Sequence, residues 1–161
     1  MARAVSLHAA GADLRKERAE SILLTAGHGA VGDRHAGRDP ERALLVTSAS
    51  TYDYLERQGI VLEHGSLGEN IVVEGLIPEK LPEGTRLVAG EVVLELTGPC
   101  TVCSSLSVLD LRLPKLSYGR RGVYARVVRG GSLREGDRFE VEPGRNGSKR
   151  ERTGNFPETA S

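Results

Sequence analysis

The residues predict a mainly β fold, a closed barrel with a few short helices, and three observations carry that expectation. Apolar residues come in short Val- and Leu-rich runs rather than in long stretches with helical spacing. Twenty glycines punctuate those runs, which implies many turns. Bulky core residues are scarce, with one Met, two Phe and no Trp, while β-branched valine is plentiful. A chain of 161 residues suits one domain and can bury a sizeable core without disulfide or metal staples.

Taken in order, Arg3 to His8 reads as a first strand. Arg15-Lys16-Glu17-Arg18 has helical character, but Ser21 to Thr25 fits a buried strand equally well, so the segment up to Ala26 stays open between the two. Gly27 to Asp33 is a glycine-punctuated loop that runs on to Pro40. Ala43 to Thr47 is a buried strand; Ser48 or Ser50 then caps a short helix bearing Tyr52 and Leu55, which Gly59 ends. Gly65 to Asn70 is a polar loop opening into a strand from Ile71 to Glu74. Arg86 to Val88 and Val92 to Leu96 are strands, the second ended by Thr97-Gly98-Pro99. Ser104 caps a short helix through Leu109, Val123 to Arg129 alternates as a strand, Gly130-Gly131 turns, and Arg138 to Glu142 is the last strand. The reading is one domain over residues 1–142 with about seven short strands, followed by a polar tail, 143–161, expected to be disordered.

Acidic and basic residues balance at 22 each, so no charge excess points to nucleic acid or to an anionic membrane surface. No apolar run approaches the roughly 20 residues of a membrane span, and the N-terminal residues lack a secretory pattern. The expected location is the cytoplasm, where the two cysteines, Cys100 and Cys103, would form no permanent disulfide. Their spacing is one that redox and metal sites use.

Four polar, glycine-bearing stretches lie beside strands: Gly32-Asp33-Arg34-His35-Ala36-Gly37, Gly68-Glu69-Asn70, Cys100-Thr101-Val102-Cys103 and Gly119-Arg120-Arg121-Gly122. Loops at strand ends are where barrels build sites, and glycine lets backbone approach a ligand closely. Arginines suit phosphate, and a thiolate is a nucleophile and a soft metal ligand. Each stretch also has a plain structural reading. Gly-Asp-Arg makes a turn with a salt bridge, Glu69-Asn70 caps a turn, Arg120-Arg121 is a solvated pair, and a cysteine is a small buried hydrophobe. Zinc is the metal alternative, but Cys100 and Cys103 supply two ligands of the four a structural site needs, leaving His8, His28, His35 and His64 to complete it from distant loops.

In order and spacing the stretches resemble the MOSC family, the domain named after the C-terminal part of molybdenum cofactor sulfurases. The resemblance runs from about Val5 to Val141 and rests on Gly32-Asp33-Arg34-His35-Ala36-Gly37, Gly68-Glu69-Asn70-Ile71, the hairpin Leu87 to Glu91, the cysteine loop and Gly136-Asp137. The family's cysteine usually stands in Arg-x-Pro-Cys, followed by a basic and then an apolar residue. Aligned on Leu106, Cys103 takes that position, while Cys100, Val102 and Ser105 replace the arginine, the proline and the basic residue. The other alignment puts Pro99-Cys100 on the Pro-Cys pair and loses the match at Leu106.

The resemblance implies a MOSC-type β-barrel that either carries sulfur as a cysteine persulfide or binds a molybdenum–pterin cofactor (molybdopterin) with Cys103 on the metal. It implies Cys103 as the working thiol, with Arg34, His35, Glu69, Asn70, Arg120 and Arg121 around the cofactor; Cys100, standing where the family has arginine, is expected to assist Cys103 by resolving a persulfide through a transient disulfide. A sulfur donor such as a cysteine desulfurase, and an electron donor or molybdoenzyme partner, would follow; a link to pyridoxal phosphate exists at family level only. Reduction of N-hydroxylated compounds and cofactor sulfuration are the activities implied, if the chain turns over at all. The other classes are a zinc-binding module and a scaffold with inert cysteines. One physical expectation accompanies the thiol: a helix starting at Ser104 would favour the Cys103 thiolate by about 0.3–1 kcal/mol.

Overall fold

The computed structural model describes residues 2–9, 16–101 and 104–144. Seven strands close into a barrel. Strand β1 (Ala2–Ala9) pairs antiparallel with β6 (Ile71–Glu74), which lies parallel to β5 (Leu44–Ser48). From β5 the sheet continues antiparallel through β9 (Val123–Arg129), β8 (Val92–Pro99), β7 (Arg86–Ala89) and β11 (Arg138–Glu142). Strand β11 returns to β1 through the register Ala2↔Phe139 and closes the ring. Strand β2 (Glu17–Ala19) hangs from the free end of β1. A small sheet of β3 (Ser21–Thr25), β4 (Gly29–Ala30) and β10 (Gly131–Arg134) contributes Ile22, Leu24, Ala30 and Leu133 to the barrel core.

Alternation explains most of the barrel. In β8, Val92, Leu94 and Leu96 point inward and are buried while their neighbours are half-exposed, and β9 does the same with Val123, Ala125 and Val127. Each fully buried leucine contributes roughly 1.5–3 kcal/mol relative to exposure. Strand β5 differs, because all five of its residues are buried. It starts the one parallel crossover in the barrel, β5–α1–β6, whose helix α1 (Ala49–Arg57) covers its outer face. There Tyr52 and Leu55 form a second apolar cluster with Ile60, Leu67, Val72, Leu106 and Leu113, the last on the short helix α2 (Leu113–Leu116). Ser48 caps α1, its hydroxyl accepting from the Ser50 amide, and Gly59 follows at φ 86°.

The Glu17–Thr25 region, left open between helix and strand by the sequence, is two strands, because its apolar residues alternate and Ile22 and Leu24 are drawn into the core. Three sequence expectations need correction. Strand β8 runs on through Thr97-Gly98-Pro99, since a register slip between Leu96 and Gly98 accommodates the glycine and Pro99 pairs at the strand's end. Gly130-Gly131 does not turn a hairpin but passes the chain from the barrel to the small sheet, where Gly131 starts β10. The segment Ser104–Val108 is a five-residue 3-10 helix rather than an α-helix. Its few aligned peptides weaken the dipole argument made for Cys103. Tail residues 145–161, like Cys103 itself, lie outside the described residues.

Candidate functional site

A buried lysine organises one end of the barrel. Lys16 lies just before β2, and its side chain is 0 % exposed. Its ammonium donates to Asp33 Oδ2 at 2.8 Å, meets His35 Nδ1 at 3.0 Å and reaches Asn70 Oδ1 at 3.4 Å. Burial lowers the Lys16 pKa from the ordinary lysine value, and the bonded Asp33 carboxylate works against that shift. Asp33 also accepts the His35 amide at 3.1 Å, which bends the Gly32–Gly37 loop around the carboxylate.

Asn70 is a bridge between strands. Its Oδ1 accepts the Leu45 amide at 3.1 Å and its Nδ2 donates to the His8 carbonyl at 3.1 Å, while its own backbone bonds to Leu45 and His8. That position needs a donor and an acceptor on one short side chain, which aspartate does not supply. Glu69, next to it, points the other way. It is fully buried and accepts from the Tyr52 hydroxyl and the Gly65 amide. Burial raises the pKa of Glu69, and burial beside Glu69 raises that of Tyr52 well above its ordinary value.

The two neighbouring arginines part company. Arg121 is buried and donates through Nε and Nη2 to the Leu67 carbonyl at 3.2 and 3.0 Å, which ties it to the Gly-Glu-Asn loop. Arg120 stacks on the Tyr54 ring of α1 at 3.8 Å and lines a cleft of about 400 Å³ with Ser50, Glu79 and Tyr118. After Arg121, Gly122 accepts the Cys100 amide at 2.9 Å. A Cβ at Gly122 would sit 2.5 Å from the Val46 carbonyl, so only glycine allows this approach. Cys100 is 3 % exposed and donates its thiol to Tyr124 Oη at 3.4 Å. Desolvation first, and then Cys100, push Tyr124 up to about 12.

Contacts thus link all four glycine-bearing stretches. Asp33 and His35 meet Asn70 at Lys16, Arg121 meets the loop before Asn70, and Cys100 meets Gly122. Arg34 follows Asp33 on the same loop, and its charge acts on both Lys16 and His35. Cys103 lies outside the described residues, so its place relative to His35 is open. Among the described residues no group of three or more His, Cys, Asp or Glu side chains is set to hold a metal ion. None of the described helices is long and apolar enough to cross a membrane.

The family scan agrees with the resemblance. A model described as MOSC domain matches residues 31–140, which is more than half of the chain. The chain belongs to the MOSC domain family. No curated protein matches it in sequence. Among solved structures, this MOSC domain is similar to the YuaD protein from Bacillus subtilis, with TM-score 0.76 and 22% identity over 87% of this chain and 94% of that one. It is also similar to YiiM from Geobacillus stearothermophilus, with TM-score 0.73 and 21% identity over 88% and 75% of the two chains. YiiM from Escherichia coli matches at TM-score 0.66 and 21% identity, over 87% and 69%. These likenesses show the fold.

Sequence reasoning missed Lys16, and it named His8 and His64 only as distant candidates for zinc, not as a pair beside it. Ser6 Oγ lies 2.9 Å from His64 Nδ1 and 3.0 Å from His8 Nε2, at the edge of a cavity of about 790 Å³ lined also by Arg18 and Glu63. One signal was available for Lys16: the chain has 4 lysines against 18 arginines, so a lysine within a basic run is a departure from its habit.

Two expected results arise here. Burial lowers the pKa of His8 and of His35 from 6.5 to about 4. Between those values the unfolded chain binds protons that the folded chain refuses, so stability present above pH 6.5 is lost as pH falls towards 4. Urea midpoints measured at pH 7 and pH 4.5 should differ in that direction, and His8→Gln should reduce the difference. Separately, the Cys100 thiol is expected to react slowly with a thiol reagent in native Cys103→Ser protein and rapidly in urea. Equal rates would contradict its burial.

Proposed function

We propose that this MOSC domain binds a molybdenum–pterin cofactor or carries sulfur as a persulfide, with Cys103 as the thiol that holds the metal or the sulfur. One observation supports the reading most: contacts through Lys16, Arg121 and Gly122 tie the Gly-Asp-Arg-His loop, the Gly-Glu-Asn loop and the start of the cysteine loop into one assembly.

The donor set fits such a group. Arg34 and Arg121 bring positive charge to this end of the barrel, suited to a terminal phosphate, while the Lys16 charge is balanced by Asp33, and a cysteine thiolate is a sound ligand for a soft metal. Arg121 and the half-exposed His35 would hold the anionic end, and Arg34 would add charge. Asn70, bonded to the barrel's backbone and to Lys16, and Glu69, accepting from Tyr52 and the Gly65 amide, would act by shaping the loop around the ligand. When bound, the cofactor supplies the redox and sulfur-accepting chemistry. The chain contributes orientation and charge, and partners would contribute the rest: a sulfur donor such as a cysteine desulfurase, and an electron donor if N-hydroxylated compounds are reduced.

Metal analysis and intact-mass spectrometry of protein from a host that makes molybdenum cofactor test the reading. Molybdenum with a pterin, or one added sulfur on Cys103, is the expected result. Stoichiometric zinc without either would replace it with the metal-binding module, and unmodified, metal-free protein would leave a scaffold.

A further inference from the structure

We propose that Lys16 is a positioning residue: its ammonium, holding Asp33, Asn70 and the Nδ1 lone pair of His35 together, fixes the His35 ring as the Nε2–H tautomer and so presents a permanent N–H donor to an oxygen of an anionic ligand. The inference rests on the cofactor-site reading for the ligand, but not for the tautomer.

An ammonium has three N–H donors and no acceptor. Lys16 has three partners in reach, a carboxylate oxygen at 2.8 Å, a ring nitrogen at 3.0 Å and an amide oxygen at 3.4 Å. The ring nitrogen must therefore accept. A proton on Nδ1 would set two donors face to face at 3.0 Å, and an imidazolium would set two positive charges there. Asp33 does not rescue either form, because its Oδ2 lies 3.8 Å from Nδ1, beyond hydrogen-bond reach, and already takes the ammonium and the His35 amide. The neutral ring with its proton on Nε2 remains. The His35 side chain is 31 % exposed while its Nδ1 meets a fully buried ammonium, which leaves the Nε2 edge as the ring's donor towards a ligand.

The charged groups around the ring agree. Lys16, Arg34 and Arg38 disfavour the imidazolium, Asp33 alone favours it, and burial adds the largest effect against it. His35 then serves as a donor of constant protonation rather than as an acid or base. An unanchored histidine would divide between two tautomers and titrate near neutrality. Here the loop offers the same donor throughout the physiological range, and the bland alternative, a histidine that merely packs, makes no such demand.

Histidine-labelled full-length protein read by long-range proton–nitrogen NMR between pH 5.5 and 8 tests this, with His35 assigned through His35→Gln. The expected pattern is neutral Nε2–H at every pH, and a shift of that Nε2–H signal on adding inorganic phosphate. An Nδ1–H or imidazolium pattern overturns the tautomer; a phosphate-insensitive signal overturns the donor role. The charge-neutral double variant Lys16→Met/Asp33→Asn should let His35 titrate nearer its ordinary value with mixed tautomers, and an unchanged pattern there would remove Lys16 as the cause. All of these readouts need no cofactor, so failure of cofactor loading would count against the proposed function and leave the tautomer standing.

Discussion

Asp33→Ala is expected to destabilise the domain by about 3–5 kcal/mol, the cost of leaving one member of a buried ion pair without its partner. Both side chains of the Lys16–Asp33 pair are 0 % exposed, and among the described residues Asp33 is the carboxylate that the ammonium meets, at 2.8 Å. The loss would also free the His35 amide and unbend the loop. Domains of this kind are stable by roughly 5–15 kcal/mol, so the change takes a large share, visible as a fall in melting temperature of about 10 °C. Replacing both partners at once, Lys16→Met/Asp33→Asn, is expected to cost much less, because no buried charge is left behind. Urea denaturation of the wild type and the two variants checks the ordering. A single variant as stable as the double would show that water reaches Lys16 in solution.

Such a pair is hard to foresee from sequence, and the reason is instructive. What sequence reasoning reads well is periodicity enforced by a core. Val123–Arg129 and Arg138–Glu142 were legible to the residue because alternation and flanking glycines admit one reading, and Ile71–Glu74 because a short β-branched run opens from a glycine-bearing loop. Helix α1 was legible from Ser48 and Gly59, whose capping roles are local. The short strands β2, β4 and β10 were not: β2 and β4 are too short to show sustained alternation, and β10 pairs far along the chain with β3, Gly131 opposite Leu24. The site divides in the same way. His35, Asn70 and Arg121 announce themselves through glycine-flanked motifs. Lys16 carries only the weak mark of a lysine in an arginine-rich chain, since its burial arises from Asp33 and Asn70, which are 17 and 54 residues away. Cys100 was readable as a thiol near a site, but only the fold turns it onto Tyr124.

That orientation sharpens the last expected result, which separates the two cysteines. Cys103→Ser is expected to abolish molybdenum or persulfide loading, while Cys100→Ser leaves it largely intact. Cys103 holds the family position in the alignment on Leu106, and Leu106 is fully buried in the apolar cluster beneath α1, which makes it a firm anchor for the register. Cys100 hangs on the barrel rather than over the site: its amide is fixed to Gly122, its thiol is given to Tyr124, and it is 3 % exposed. Serine keeps both hydrogen bonds at nearly the same volume, so Cys100→Ser should fold normally. To resolve a persulfide on Cys103, the Cys100 thiol would have to leave Tyr124, lose its proton and attack the inner sulfur, forming a disulfide and releasing hydrosulfide. Sulfur release, not loading, is therefore where Cys100→Ser should show, as a slower discharge in the absence of added thiol. Intact-mass measurement and metal content of the two variants decide the matter. Loading lost in Cys100→Ser and kept in Cys103→Ser would move the working thiol to the Pro99-Cys100 alignment, and loading indifferent to both would remove cysteine chemistry from the reading.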